Sequence, residues 1–146
     1  MALRVSIMTT LQTLLQGISP AFTKVAVMRA LPWDQTELPA ANIKEAEEGE
    51  EIADIVSCNK VRPVLHVQIE ITYATDTPYA DAANKIYAVM EKIRADETGA
   101  RTLAVYSVNE ITEVNSKVVI DHEEQKVSTG ILMLDLYYER NRLSGT

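Results

Sequence analysis

Residues Val64–Ala74 read Val-Leu-His-Val-Gln-Ile-Glu-Ile-Thr-Tyr-Ala, and their side chains alternate between apolar and more polar. Successive side chains of a strand point to opposite faces, so this segment is predicted to be a long strand with one buried and one wetter face. The buried face would carry Leu65, Val67, Ile69, Ile71 and Tyr73, and the wetter face His66, Gln68, Glu70 and Thr72. No other segment has so clear a period of two.

Two amphipathic helices are predicted. From Ala2 to Gln16 the apolar residues recur at helical spacing, Gly17 is placed as a C-terminal cap, and Pro20 prevents continuation. The second helix starts at Thr77-Pro78, where threonine can cap and proline is favoured at the first helical position, and it ends before Gly99. Its apolar stripe comprises Ala82, Ala83, Ile86, Val89, Met90 and Ile93.

The remaining β-rich segments complete an α+β domain. Predicted strands or short apolar pieces cover Thr23–Leu31, Ala40–Glu45, Ile52–Cys58, Thr102–Val114, Lys117–Ile120 and Val127–Glu139, with Asn115-Ser116 as a turn and Arg140–Thr146 as an exposed tail. The sequence thus predicts one domain spanning residues 1–146, a mainly antiparallel mixed sheet with two helices packed on one face. A chain of 146 residues can bury a sizeable core without disulfides or a metal.

Composition excludes several classes of protein. The chain has 21 acidic and 14 basic residues, a net charge of −7, which disfavours sequence-independent binding to nucleic acid. One cysteine, Cys58, cannot form an internal disulfide, and it is predicted to be a partly buried, inert thiol. Polar residues interrupt the apolar N-terminal stretch too often for a signal peptide, and no apolar run is long enough for a membrane span. These features predict a protein of the cytosol, or of a particle assembled there.

Six of the ten residues from Glu45 to Asp54 are acidic. Several carboxylates together can bind a hard cation, but the spacing does not match a calcium loop. The segment is therefore predicted to be a solvated turn between two strands, with an acidic loop that lines a pore or contacts a partner as the alternative.

Catalysis requires a base, a nucleophile or a metal held by convergent groups, and the sequence contains no such signature. His66 lies on the polar face of the central strand, where an interface histidine is favoured over a general base or ligand. His122 lies in a polar turn with Asp121, Glu123 and Glu124 and is expected to be solvated. We therefore predict no enzyme activity, no catalytic, cofactor-binding or metal-binding residue, and no cofactor.

The order of elements resembles that of phage tail terminators of the minor tail protein U type and related tail completion proteins. The matching features are the first helix ended by Gly17, Val27-Met28-Arg29-Ala30-Leu31-Pro32, then Glu37-Leu38-Pro39-Ala40 before the acidic run, Leu65–Ile71 leading into a helix at Asp81–Arg94, and Leu136-Tyr137-Tyr138 in the last strand. The resemblance spans nearly the whole chain and is one of order and pattern, because the family has no catalytic signature.

This resemblance implies a structural virion protein at the head-proximal end of a tail, assembled in the host cytoplasm. Such proteins form a ring, commonly a hexamer, that caps the tail tube, stops its polymerisation and provides the attachment surface for head and neck proteins. DNA passes through the channel, and an acidic lumen would let it slide without specific binding. Partners would be further copies of the chain, the major tail tube protein and head completion proteins, with no membrane.

The candidate interaction residues under this reading are Glu45, Glu47, Glu48, Glu50, Glu51, Lys60, Arg62, His66, Gln68, Glu70, Asp121, Glu123 and Glu124. The two acidic segments among them are candidates for contacts with tube or neck. Lys60 and Arg62 are expected to pair with the acidic segment or with a neighbouring subunit. A tail-to-head joining protein and, from a different class, a small ligand-binding or catalytic α+β domain remain alternatives.

Overall fold

The computed structural model describes residues 1–122 and 126–146, with the backbone alone for Asp121 and His122. The helices are α1 (Leu3–Gln16) and α2 (Pro78–Thr98). The strands are β1 (Lys24–Val27), β2 (Ala40–Ile55), β3 (Lys60–Ala74), β4 (Glu110–His122), β5 (Val127–Tyr137) and β6 (Arg140–Asn141). Two short 3-10 turns, Gln35–Glu37 and Leu103–Tyr106, lie in the connections.

All six strands belong to one mixed sheet in the order β1-β2-β3-β5-β4, with β6 also paired to β3. β1 runs parallel to β2, and the other pairs are antiparallel. β3, the strand with the clearest alternation, is at the centre. The prediction of an α+β domain with a mainly antiparallel mixed sheet is therefore confirmed.

One face of the sheet is covered by both helices. α1 packs on β1 and β2, while α2 packs on β5, β3 and β4. The predicted buried face of β3 is confirmed, since Leu65, Val67, Ile69 and Ile71 are fully buried. The alternate residues Leu132, Leu134 and Leu136 of β5 lie in the same core, as does Tyr138 directly after the strand. Gly130 permits the close approach of α2, because a Cβ there would lie 3.0 Å from Ile86 Cδ1.

The structure corrects the prediction between Thr102 and Ile120. Residues Leu103–Tyr106 form a 3-10 turn instead of the start of a strand. β4 begins at Glu110 and continues through Asn115 and Ser116, which were predicted to be a turn, with a register shift between Glu113 and Asn115 opposite β5. An extended partner strand thus outweighs the weak local turn preference of two polar residues, because strand formation depends strongly on context.

The predicted acidic turn is also wrong. Residues 45–54 lie inside β2, which continues to Ile55 and pairs with β3 as far as Val61. A register shift between Glu45 and Glu50 places Ala46, Glu47, Glu48 and Gly49 opposite one residue of β3, and Gly49 has a φ of +62°. The chain reverses later, between Ile55 and Lys60.

The distal ends of β2 and β3, residues 51–63, form a hairpin that we call the arm. Every residue from Glu51 to Lys60 is exposed. Cys58 lies in its turn and is exposed, not partly buried as predicted. β6 pairs with β3 at the arm, so the segment predicted to be an exposed tail contributes a third strand there. Further along this segment, the Gly145 carbonyl accepts a hydrogen bond from the Leu3 amide at 2.8 Å.

Candidate interaction surface

The sheet face opposite the helices, which we call the open face, is half-buried and mixes polar with apolar side chains. On β3 it carries His66, Gln68, Glu70 and Thr72, as the alternation predicted. Their partners across β5 are Asp135, Met133, Ile131 and Thr129, respectively. This face therefore brings together three of the predicted interaction residues, and it adds apolar side chains from β5 that are not among those residues.

His66 is the most constrained group of the open face. Its Nδ1 lies 2.6 Å from Asp135 Oδ1 on β5, and its Nε2 lies 3.3 Å from Glu51 Oε1 on β2. Burial alone would lower the pKa of His66, but the hydrogen bond and charge of Asp135, with the charges of Glu51 and Glu48, outweigh it and raise that pKa above its ordinary value. In an Asp–His pair that works as a base, Nε2 takes the proton, and here Glu51 occupies that position. The geometry therefore favours a structural role for His66, which links β3 to β5 and β2, over a role as a general base.

The raised pKa of His66 makes part of the stability depend on pH. A group whose pKa rises on folding contributes stability that is fully present below its unfolded value, about 6.5, and is lost as the pH rises through its folded value. We expect the wild type to lose thermal stability relative to His66→Gln between pH 6 and 9. Thermal unfolding of both proteins across that range, with an NMR titration of His66, measures this. A difference between the two proteins that does not change with pH would contradict it.

The acidic residues of β2 divide into two groups. Glu45 pairs with Arg4 of α1, whose Nε donates at 3.0 Å, and Glu50 accepts from Arg140 Nη2 at 2.8 Å and from the Tyr138 hydroxyl. These two carboxylates stabilise the subunit itself. The other four acidic side chains, Glu47, Glu48, Glu51 and Asp54, are exposed on or beside the arm.

The two basic residues predicted as interaction residues on β3, Lys60 and Arg62, also differ in their contacts. Arg62 lies 4.9 Å from the Tyr137 ring centroid and donates to Glu110 Oε2 at 2.6 Å, so it joins β3 to the start of β4 and not to the acidic segment. Lys60 is exposed in the arm. Glu70 pairs with Lys44 on β2. Glu123 and Glu124 lie outside the described residues, as does the side chain of Asp121.

β4 is an edge strand, which sequence analysis did not identify. It pairs with β5 on one side, and in the described parts of the chain no strand covers its other side. Val114, Val119 and Ile120 are exposed on it. An uncovered strand edge offers unpaired backbone groups to another chain, so β4 is a candidate contact region.

A cleft beside the end of α2 contains a carboxylate with a structural role. A cleft of about 270 Å³ lies between the end of α2 and the 3-10 turn. Asp96 at its wall accepts from the Thr102 hydroxyl at 2.7 Å and from the amides of Thr102 and Leu103. Burial opposes ionisation of Asp96, but these bonds and Lys92 lower its pKa overall, so this carboxylate is a structural cap. Within residues 1–122 and 126–146, no group of His, Cys, Asp and Glu has the geometry of a metal site.

None of the described helices is long and apolar enough to cross a membrane. No protein-family model matches the chain. No curated protein matches it either. Among solved structures, the chain is similar to one from the virion of a native gene transfer agent particle, with a TM-score of 0.42 and 11% identity over 95% of this chain and 92% of that chain. A similarity of this strength does not bear on function.

Proposed function

We propose that this chain is a structural virion protein, a tail terminator that forms a ring on the tail tube. The ring, a hexamer in the family it resembles, stops tube polymerisation and provides the attachment surface for head and neck proteins. It lies at the head-proximal end of the tail, is assembled in the host cytoplasm, and lets DNA pass without specific binding. The proposal includes no enzymatic activity and no cofactor.

The observation that carries this proposal is the sheet face and the sheet edge that no element of the described residues covers. Its open face presents Ile131, Met133 and Tyr137 beside polar side chains, and β4 leaves an edge with exposed apolar residues. A sheet covered on one side with such a face and edge is suited to contacts with other chains. The order of helices and strands that resembles tail terminators also supports the proposal, since both helices and the strands β3 and β5 lie where the sequence predicts them.

The oligomeric state tests the proposal directly. We expect the purified chain to form closed rings, alone or on isolated tail tubes, visible by light scattering after size exclusion and by negative-stain imaging. The rings should bind tube ends and stop their growth. A chain that stays monomeric and ignores tail tubes would contradict the proposal. Rings that bind heads and not tubes would favour the tail-to-head joining role.

A further inference from the structure

The arm has two uncovered sides of opposite charge. β1 pairs only with Ala40–Ile43 of β2, so in the described residues no strand covers β2 beyond that point. On the other side of β3, β6 is the last strand of the arm, and the Arg142 amide donates to the Asn59 carbonyl at 2.8 Å, which holds the following residues at its turn. The arm therefore presents β2 on one side and β6 with residues 142–143 on the other.

The β2 side is acidic with apolar residues between the charges. We call it the acidic edge, defined by Glu47, Glu48, Glu51 and Asp54, all exposed. Among them only Glu51 takes part in an ion pair found in the described residues, at 3.3 Å from His66 Nε2. Ile52, Ile55 and Val56 are 50%, 67% and 48% exposed between and beyond these charges. Apolar side chains this exposed and this close in sequence favour a surface that is covered on assembly.

The opposite side of the arm is basic, with an exposed apolar residue beside the charges. We call it the basic edge, defined by Lys60, Arg142 and the neighbouring Leu143, which is 94% exposed. None of the ion pairs found in the described residues involves Lys60 or Arg142. Lys60, which pairs with Asn141 of β6, and Arg142, which follows β6, are both exposed and lie at the β6 end of the arm with the exposed leucine.

We infer that the acidic edge of one copy binds the basic edge of the next copy, so that the arms join edge to edge around the assembly. This inference rests on the proposed ring and names the surface through which neighbouring copies contact each other in it. Exposed carboxylates meet Lys60 and Arg142, and Ile52 and Ile55 cover Leu143. Backbone groups of β2 that lack a strand partner within the described chain would lie against the neighbouring arm.

The charge pattern also determines the symmetry. Two acidic edges would repel each other, as would two basic edges, so a two-fold dimer through the arms is disfavoured. An interface between two different patches is head-to-tail, and such an interface closes into a ring when its rotation allows. The four carboxylates of the acidic edge are thereby assigned to the neighbouring copy and not to tube or neck.

Charge exchange tests this interface. One variant, Glu47→Lys with Glu48→Lys and Asp54→Lys, makes the acidic edge net positive while Glu51 keeps its contact with His66. A second variant, Lys60→Glu with Arg142→Glu, reverses the basic edge. Each variant alone would bring like charges together, and we expect a loss of more than about tenfold in the association constant. An equal mixture should regain rings, because the reversed acidic edge of one variant complements the reversed basic edge of the other. Light scattering and negative-stain imaging report each case.

The control for the acidic-edge variant carries acidic-to-basic changes away from the arm. Glu91→Lys with Glu97→Lys alters two exposed residues of α2 and should assemble like the wild type. Circular dichroism and thermal unfolding establish that all variants fold, as expected for exposed positions. If the wild type forms rings and either arm variant does so equally well, the inference is wrong while the proposed function stands. If the wild type forms no rings even with tail tubes, both are wrong.

Discussion

Replacing Leu65 by Asp should unfold the subunit. Leu65 is fully buried at the centre of the sheet, beneath the helices. The substitution removes a packed side chain and buries a carboxylate without a partner, which together cost about 5 kcal/mol or more. This equals the whole stability of many domains of this size. Urea unfolding monitored by circular dichroism, or the absence of soluble folded protein, measures the effect.

The matched control lies three residues along the same strand. Gln68 faces the open side of β3 and is half-exposed, so Gln68→Ala should change the free energy of unfolding by less than about 0.5 kcal/mol. The same variant isolates assembly from folding, because it removes a polar group from the open face. A folded, stable Leu65→Asp protein would contradict the assignment of the two faces of β3.

Replacing Glu50 by Ala should cost about 3 kcal/mol, although sequence analysis placed Glu50 among the interaction residues. The side chains of Arg140 and Glu50 are only 15% and 10% exposed, and Arg140 Nη2 donates to Glu50 Oε1 at 2.8 Å. The fully buried Tyr138 donates its hydroxyl to the same carboxylate. Without Glu50, the Nε and Nη2 groups of Arg140 and the Tyr138 hydroxyl lose this acceptor at a site where the side chains are little exposed.

Glu48→Ala provides the comparison, since Glu48 is exposed two residues earlier in the same strand. It should leave the free energy of unfolding within about 0.5 kcal/mol of the wild type. Equal midpoints of urea unfolding for the Glu50 and Glu48 variants would show that the Glu50 contact contributes little. Charge reversals that probe assembly therefore use Glu47 and Glu48 and leave Glu50 unchanged.

The elements that could be predicted from the sequence are those whose own residues show a clear hydrophobic period. β3 and β5 alternate cleanly, and α1 and α2 have helical stripes with glycine or proline at their ends, so their existence and faces were correct. β4 and the acidic half of β2 lack such a pattern. They become strands because β5 and β3 are long enough to pair with them.

The division of the acidic residues could not be read from the sequence for a geometric reason. Glu45 and Glu50 are five residues apart, an odd number, so a regular strand would point them to opposite faces. The register shift between them places Glu45 opposite Val67 and Glu50 opposite Leu65, both on the core side. A bulge that changes the phase leaves only a weak trace, here Gly49 with its positive φ. Arg140 lies too far along the chain for its role to be visible.

The exposed turn of the arm also carries the only cysteine of the chain, Cys58. A spin label or fluorophore attached there needs no engineered residue and lies away from the core. In a symmetric assembly, one label per subunit gives a small set of recurring distances, and that set identifies the number of copies. A label at Cys58 would thus measure, in solution, how many copies the proposed ring contains.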